Sequence, residues 1–86
     1  MKHDISVVMM QEDMNLDQLI SDLESLNLEI VGDESNDDWV IFRYELSDEE
    51  LDSLLTFVKA SPYAKGYEVE CWDSGDCEFL WNNLSL

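Results

Sequence analysis

The period of the hydrophobic residues switches repeatedly along this chain, and that switching limits what it can fold into. Ile5 to Met10 is a short, almost wholly apolar run containing β-branched residues, closed by Gln11-Glu12-Asp13. It reads as a strand, and apolar positions on both of its faces suit a central place in a sheet. From Leu16 the period lengthens: Leu16, Leu19, Ile20, Leu23 and Leu26 stand at offsets 0, 3, 4, 7 and 10, one stripe of a helix. Asn15 is the expected N-cap, with Gln18 three residues on as the capping-box partner. That leaves Asp17, Asp22 and Glu24 on the solvent side.

Alternation returns at Leu28, Glu29 and Ile30, a second strand expected to end at Gly32. The polar turn Asp33-Glu34-Ser35-Asn36-Asp37-Asp38 leads into Trp39-Val40-Ile41-Phe42-Arg43-Tyr44, the best strand in the chain by β-propensity. Ser47 and Glu50 form a capping box, with acids in the first turn where the helix dipole favours them. Leu51, Leu54, Leu55 and Val58 continue that second helix until Ser61-Pro62 stops it. Tyr67 to Trp72 alternates strictly, Asp73-Ser74-Gly75 is a turn, and Cys77 to Trp81 is expected to return as a short further strand. With Trp72 paired to Asp76, Cys71 would face Cys77. The expected order is β-α-β-β-α-β plus that extra C-terminal strand. This is a ferredoxin-like α+β plan over a single domain, residues 1–86, with an antiparallel sheet and two helices on one face.

Such a plan leaves the other sheet face open. Val40, Phe42 and Tyr44 share one side of the third strand, and Trp39, Ile41 and Arg43 the other. Placing Arg43 outward exposes Trp39, Ile41 and Trp72; a one-residue slip would reverse the assignment.

Little in the chain resembles a catalytic centre. The only imidazole is His3, read as an unconstrained surface residue at a frayed terminus, so no catalytic residue is assigned. Two cysteines and one His cannot supply four zinc ligands without help from carboxylates, and the thiols are read as buried, though a facing pair would permit a disulfide. Asp33, Ser35 and Asp37 alternate as at the start of a calcium loop, but the sixth position has no Gly and the twelfth is Tyr44. No metal or cofactor is therefore expected. Met9, Met10 and Met14 are read as core filling.

The remaining signal is charge. Asp plus Glu number 21 against 4 Lys plus Arg, a net −17 in 86 residues. This excludes non-specific nucleic-acid binding, which needs cations to displace phosphate counterions. Disorder does not explain it either, because 45% of the residues are hydrophobic and nine are aromatic. There is no apolar run of about 20 residues to span a bilayer and no signal-peptide layout, and anionic lipid would repel the surface. A cytoplasmic protein with reduced cysteines is expected.

Solubility alone needs a net charge of only about 2–8 on a small domain, so the excess points to a basic partner. The acids fall in every element: ten from Glu12 to Asp38, five from Glu45 to Asp52 and five from Glu68 to Glu78. Carboxylates three or four positions apart on a helix lie about 5–6 Å from each other, on the scale of phosphate spacing. The candidate partner-binding residues are Asp17, Asp22, Glu24, Asp33, Glu34, Asp37, Asp38, Trp39, Trp72, Asp73 and Asp76.

In size, charge and compact α/β plan the chain resembles the small acidic anti-restriction and anti-CRISPR inhibitors of phages and mobile elements, which act as DNA mimics. Its acidic βαββαβ order and the segment Tyr67-Glu68-Val69-Glu70-Cys71-Trp72-Asp73-Ser74-Gly75 also resemble the regulator of ribonuclease activity B family. The 86 residues do not include that family's long acidic tail, and neither resemblance transfers a site residue. The first implies a non-enzymatic inhibitor that binds the basic, nucleic-acid-binding surface of a nuclease or defence complex, the leading expectation; the second implies a protein that regulates a ribonuclease by inhibiting it. Two other readings stand beside these: an immunity or antitoxin-like protein directed at one basic toxin, and a small regulatory ferredoxin-like domain, homodimeric or ligand-binding, whose charge is incidental.

Overall fold

A computed structural model describes residues 1–82; of the expected unit 1–86, positions 83–86 lie outside the described residues. In chain order the elements are β1 (His3–Met10), α1 (Leu16–Glu24), β2 (Ile30–Asp33), β3 (Trp39–Leu46), α2 (Asp48–Ala60), a 3-10 turn (Ala64–Gly66), β4 (Glu68–Cys71) and β5 (Glu78–Asn82). The strands form one sheet in the order β2-β3-β1-β4-β5, every neighbouring pair antiparallel. This is the ferredoxin-like arrangement with β5 added beyond β4.

β1 is central because it is apolar on both faces. Ile5, Val7 and Met9 enter the core with Leu19 and Leu23 of α1, Leu54 and Val58 of α2, and Val40, Tyr44 and Val69 of the flanking strands. Their intervening neighbours Ser6 and Val8 point to the helix-free face and are also buried, at 3% and 6% exposure. Met14, expected in the core, is fully exposed, and Met10 is half-buried.

Local signals explain most of the element ends. At α2 the Glu50 amide donates to Ser47 Oγ at 3.2 Å while Ser47 N donates to the Glu50 carboxylate at 3.0 Å, the capping box the sequence carries. The matching box at α1 does not form. Asn15 occupies the N-cap position without a side-chain bond; its own amide donates to Asp13, and Gln18 reaches one turn forward to Asp22 at 2.7 Å. α1 ends at Glu24, with Asn27 in the left-handed region at φ 55°. β2 starts at Ile30 rather than Leu28, which packs, partly buried, against the core. At Gly66 a Cβ would lie 2.7 Å from Leu19 Cδ1, so a larger residue here would require the buried Leu19 side chain to shift. The buried Tyr67 next to it donates its hydroxyl to the Leu19 carbonyl at 2.9 Å.

Two expectations fail at the start of β1 and the end of β4, for one reason. His3 is not frayed: it opens β1, and its ring nitrogens bond Asp48 at 2.5 Å and Asp73 at 2.6 Å. The other Asp73 oxygen accepts from Asp4 N at 2.7 Å, and Trp72 N donates to the Asp4 carbonyl at 2.9 Å. Trp72 and Asp73 are thus held against β1; the turn stays at Asp73-Ser74-Gly75, with Gly75 at a φ of 86° that suits glycine, but Trp72 does not pair with Asp76 and the β4–β5 connection widens to residues 72–77. Cys71 therefore faces Glu78 instead of Cys77, with a register shift between Val69 and Glu70. Cys71 is buried and Cys77 exposed, both as free thiols, which corrects the expectation of two buried, facing cysteines.

Candidate functional site

Both helices pack against the face carrying Ile5, Val7 and Met9, and the orientation with Arg43 outward is the one adopted. The cross-strand register builds the helix-free face in rows. Arg43 faces Ser6, which faces Glu70, which faces Phe79. One row along, Ile41 faces Val8 and Val8 faces Glu68; beyond them Trp39 faces Met10. Residues directly opposite share a face, so β1 supplies a buried floor and β3 and β4 supply the walls.

Two shallow hollows lie on this floor. The first, of about 360 Å³, is lined by Asp4, Ser6, Glu34, Arg43, Trp72 and Gly75. There Arg43 Nη2 donates to both Asp4 carboxylate oxygens at 3.0 and 3.1 Å, and Nη1 reaches Glu34 at 3.4 Å. The second, of about 270 Å³, is lined by Val8, Trp39, Ile41, Glu68 and Glu70. Partial burial, with Glu70 close enough to share a hydrogen bond, pushes the Glu68 carboxyl up to about 7. Among the described residues neither of these two glutamates forms an ion pair.

The acidic hairpin between β2 and β3 stands at one end of the face. Its bonds are internal: Asp33 accepts from Ser35 N at 2.9 Å, Ser35 Oγ from Ile41 N at 3.0 Å, and Asn36 Oδ1 from the amides of Asp38 and Trp39 at 2.9 Å. The Ser35 bond holds the Asp33 carboxyl below the usual carboxylate range. Gln11 ties the hairpin to the end of β1 through the Asn36 carbonyl at 3.0 Å. A short rigid tip results, with Asp37 and Asp38 exposed and Asp38 sharing a further hollow with Met10, Glu12 and Trp39.

The residues singled out from sequence do not form one cluster. Glu34, Asp37, Asp38, Trp39 and Trp72 collect on or beside the open face, with Asp33 at its hairpin and Asp76 exposed in the β4–β5 loop. Asp17, Asp22 and Glu24 ride on α1, across the sheet from them. Asp73 is engaged within the chain by the Asp4 amide and by His3, which hold its carboxyl low, while Asp48 and then Asp73 raise the His3 imidazole above its usual value. Asp4, Glu68 and Glu70 were not singled out. Glu68 and Glu70 had a signal, since alternation places them on the side of Trp72 and away from Val69 and Cys71.

No helix among the described residues is long and apolar enough to cross a membrane. Comparison with family models, curated proteins and solved structures found no match to this chain. The functional reading therefore rests on the surface itself.

Proposed function

We propose that this protein is a non-enzymatic acidic inhibitor that occupies the basic, nucleic-acid-binding surface of a nuclease or defence complex in the cytoplasm, standing in for the nucleic acid as anti-restriction and anti-CRISPR mimics do. The observation that carries this reading is a charge of −17 on a folded body, with the free carboxylates of Asp37 and Asp38 on a rigid hairpin beside an aromatic, helix-free sheet face. Charge of one sign steers a basic cleft toward the protein over a distance of about a screening length, about 8 Å at physiological salt. Half-exposed tryptophans then offer the kind of anchor on which interface energy concentrates. Trp39 and Trp72 supply them at opposite ends of the face.

Affinity capture with the tagged full chain, from the cells that naturally contain it, tests the proposal. The captured protein should be a nuclease or nucleic-acid-binding protein, duplex DNA or RNA should displace it, and binding should weaken steeply with added salt. A partner that binds nucleic acid normally while held in the complex would overturn the mimic reading. So would a complex indifferent to about 1 M salt, where the screening length is about 3 Å; that result would favour a regulatory domain whose charge is incidental.

A further inference from the structure

We infer that the hollow formed by Val8, Trp39, Ile41, Glu68 and Glu70 receives a single arginine side chain projected by the basic partner. The inference rests on the inhibitor reading and specifies what the open face recognises. The neighbouring hollow provides the pattern. There a guanidinium, that of Arg43, lies between the carboxylates of Asp4 and Glu34 in a recess that also contains Trp72. One row along the sheet, the second hollow shares with the first an indole and two carboxylates, and has the aliphatic Val8 as its floor where the first has Ser6. Among the described residues it has no cation of its own.

Arg43 does not fill that gap. Its Nη2 is committed to both Asp4 oxygens, and β1 separates it from Glu70, so the two Cα positions are two strand spacings, about 9–10 Å, apart. Two glutamates on one strand face, two residues apart and partly withdrawn from water, repel each other until one takes a proton or a cation arrives between them. The floor and walls favour arginine over lysine. A guanidinium is planar and weakly hydrated, stacks on an indole and donates in a fork that can address two carboxylates at once, whereas an ammonium is a compact, strongly hydrated point charge. Val8 and Ile41 can cover the aliphatic stem.

Titration of the isotopically labelled full chain by NMR tests this with a probe that needs no identified partner: a capped tripeptide carrying one arginine between alanines, and the same peptide with neutral citrulline in its place. The arginine peptide should give saturable shifts at Val8, Ile41, Glu68, Glu70 and the Trp39 indole, and the citrulline peptide none there. The double variant Glu68→Gln/Glu70→Gln, checked for an otherwise unchanged spectrum, should bind about tenfold more weakly or worse, the loss expected when a charge-assisted contact is removed. Equal shifts with citrulline, shifts spread over Asp17, Asp37 and the rest of the acidic surface, or indifference to the double variant would each overturn the assignment. The two readings fail separately. Peptide binding at the hollow without a nuclease in the capture experiment removes the inhibitor reading alone. A captured nuclease displaced by DNA, without peptide binding at the hollow, removes the arginine site alone.

Discussion

The two faces of one sheet behave as different materials. On the covered face Ile5, Val7, Met9, Leu54 and Val69 are wholly buried, and the hydroxyl of the buried Tyr67 is satisfied by the Leu19 carbonyl. On the open face the floor residues Ser6 and Val8 are almost as buried, yet the walls are Arg43, Glu68, Glu70 and half-exposed aromatics. β1 serves both faces by alternation, odd residues for the core and even residues for the recess. If the open face binds a partner as proposed, stability and recognition fall to different faces of the sheet and should be separable by mutation.

The largest effect should come from the covered face. Leu54→Ala, at a position with no exposure, should cost about 2–5 kcal/mol of unfolding free energy in urea titration. Trp39→Ala on the open face should leave most of the stability in place and reduce binding instead. A Trp39→Ala variant as unstable as Leu54→Ala would break the division between faces. Next in size, Gly66→Ala should cost about 1–3 kcal/mol, because its Cβ would press on Leu19 and force α1 and the 3-10 turn apart. Loss of the α2 cap in Ser47→Ala should cost about 1 kcal/mol by the same titration.

The smallest effects are pH-dependent and come from both faces. His3 has its value raised above 6.5 by the hydrogen bonds it donates to Asp48 and Asp73, so its stabilisation is fully present below about pH 6.5 and is lost as pH rises through the higher folded value. Asp48 and Asp73 are lowered from 3.8, so their share is present above that pH and is lost as pH falls through their folded values. On the open face the Glu68 carboxyl, raised from 4.5 to about 7, retains a proton that the unfolded chain releases, so stability should fall between those two pH values. Wild type should therefore lose stability from pH 5 to pH 8 in denaturant titrations, and Glu68→Gln should shrink that loss. An unchanged slope in Glu68→Gln would show that Glu68 and Glu70 do not share a proton.

Much of this architecture was legible because it is written locally. The doubly apolar run Ile5 to Met10 marked a central strand and Ser47 and Glu50 marked a helix start, while alternation around Arg43 sorted the side chains into two faces without fixing which of them is open. What was not legible is non-local. Nothing near His3 in sequence announces partners 45 and 70 residues away, and nothing near Trp72 announces its bond to Asp4, beside which Cys71 pairs with Glu78 and not with Cys77. The acidic residues had the same difficulty. Asp17 and Asp37 read alike in sequence, and only the docking of α1 onto the far face of the sheet separates them. Glu68 and Glu70 were equally plain as surface acids, and their proximity to Trp39 depends on two strand pairings.

The central claim is that position, and not only total charge, makes this surface a receptor for a basic partner. It is tested most directly by comparing two variants that each remove two charges, Asp37→Asn/Asp38→Asn at the hairpin and Asp17→Asn/Glu24→Gln on α1. Affinity for the captured partner should be measured for both across a salt series. The hairpin variant should lose about tenfold or more in affinity and show a shallower salt dependence, while the α1 variant stays close to wild type. Equal losses in the two variants would mean that charge acts without regard to the face that carries it, and would contradict the account.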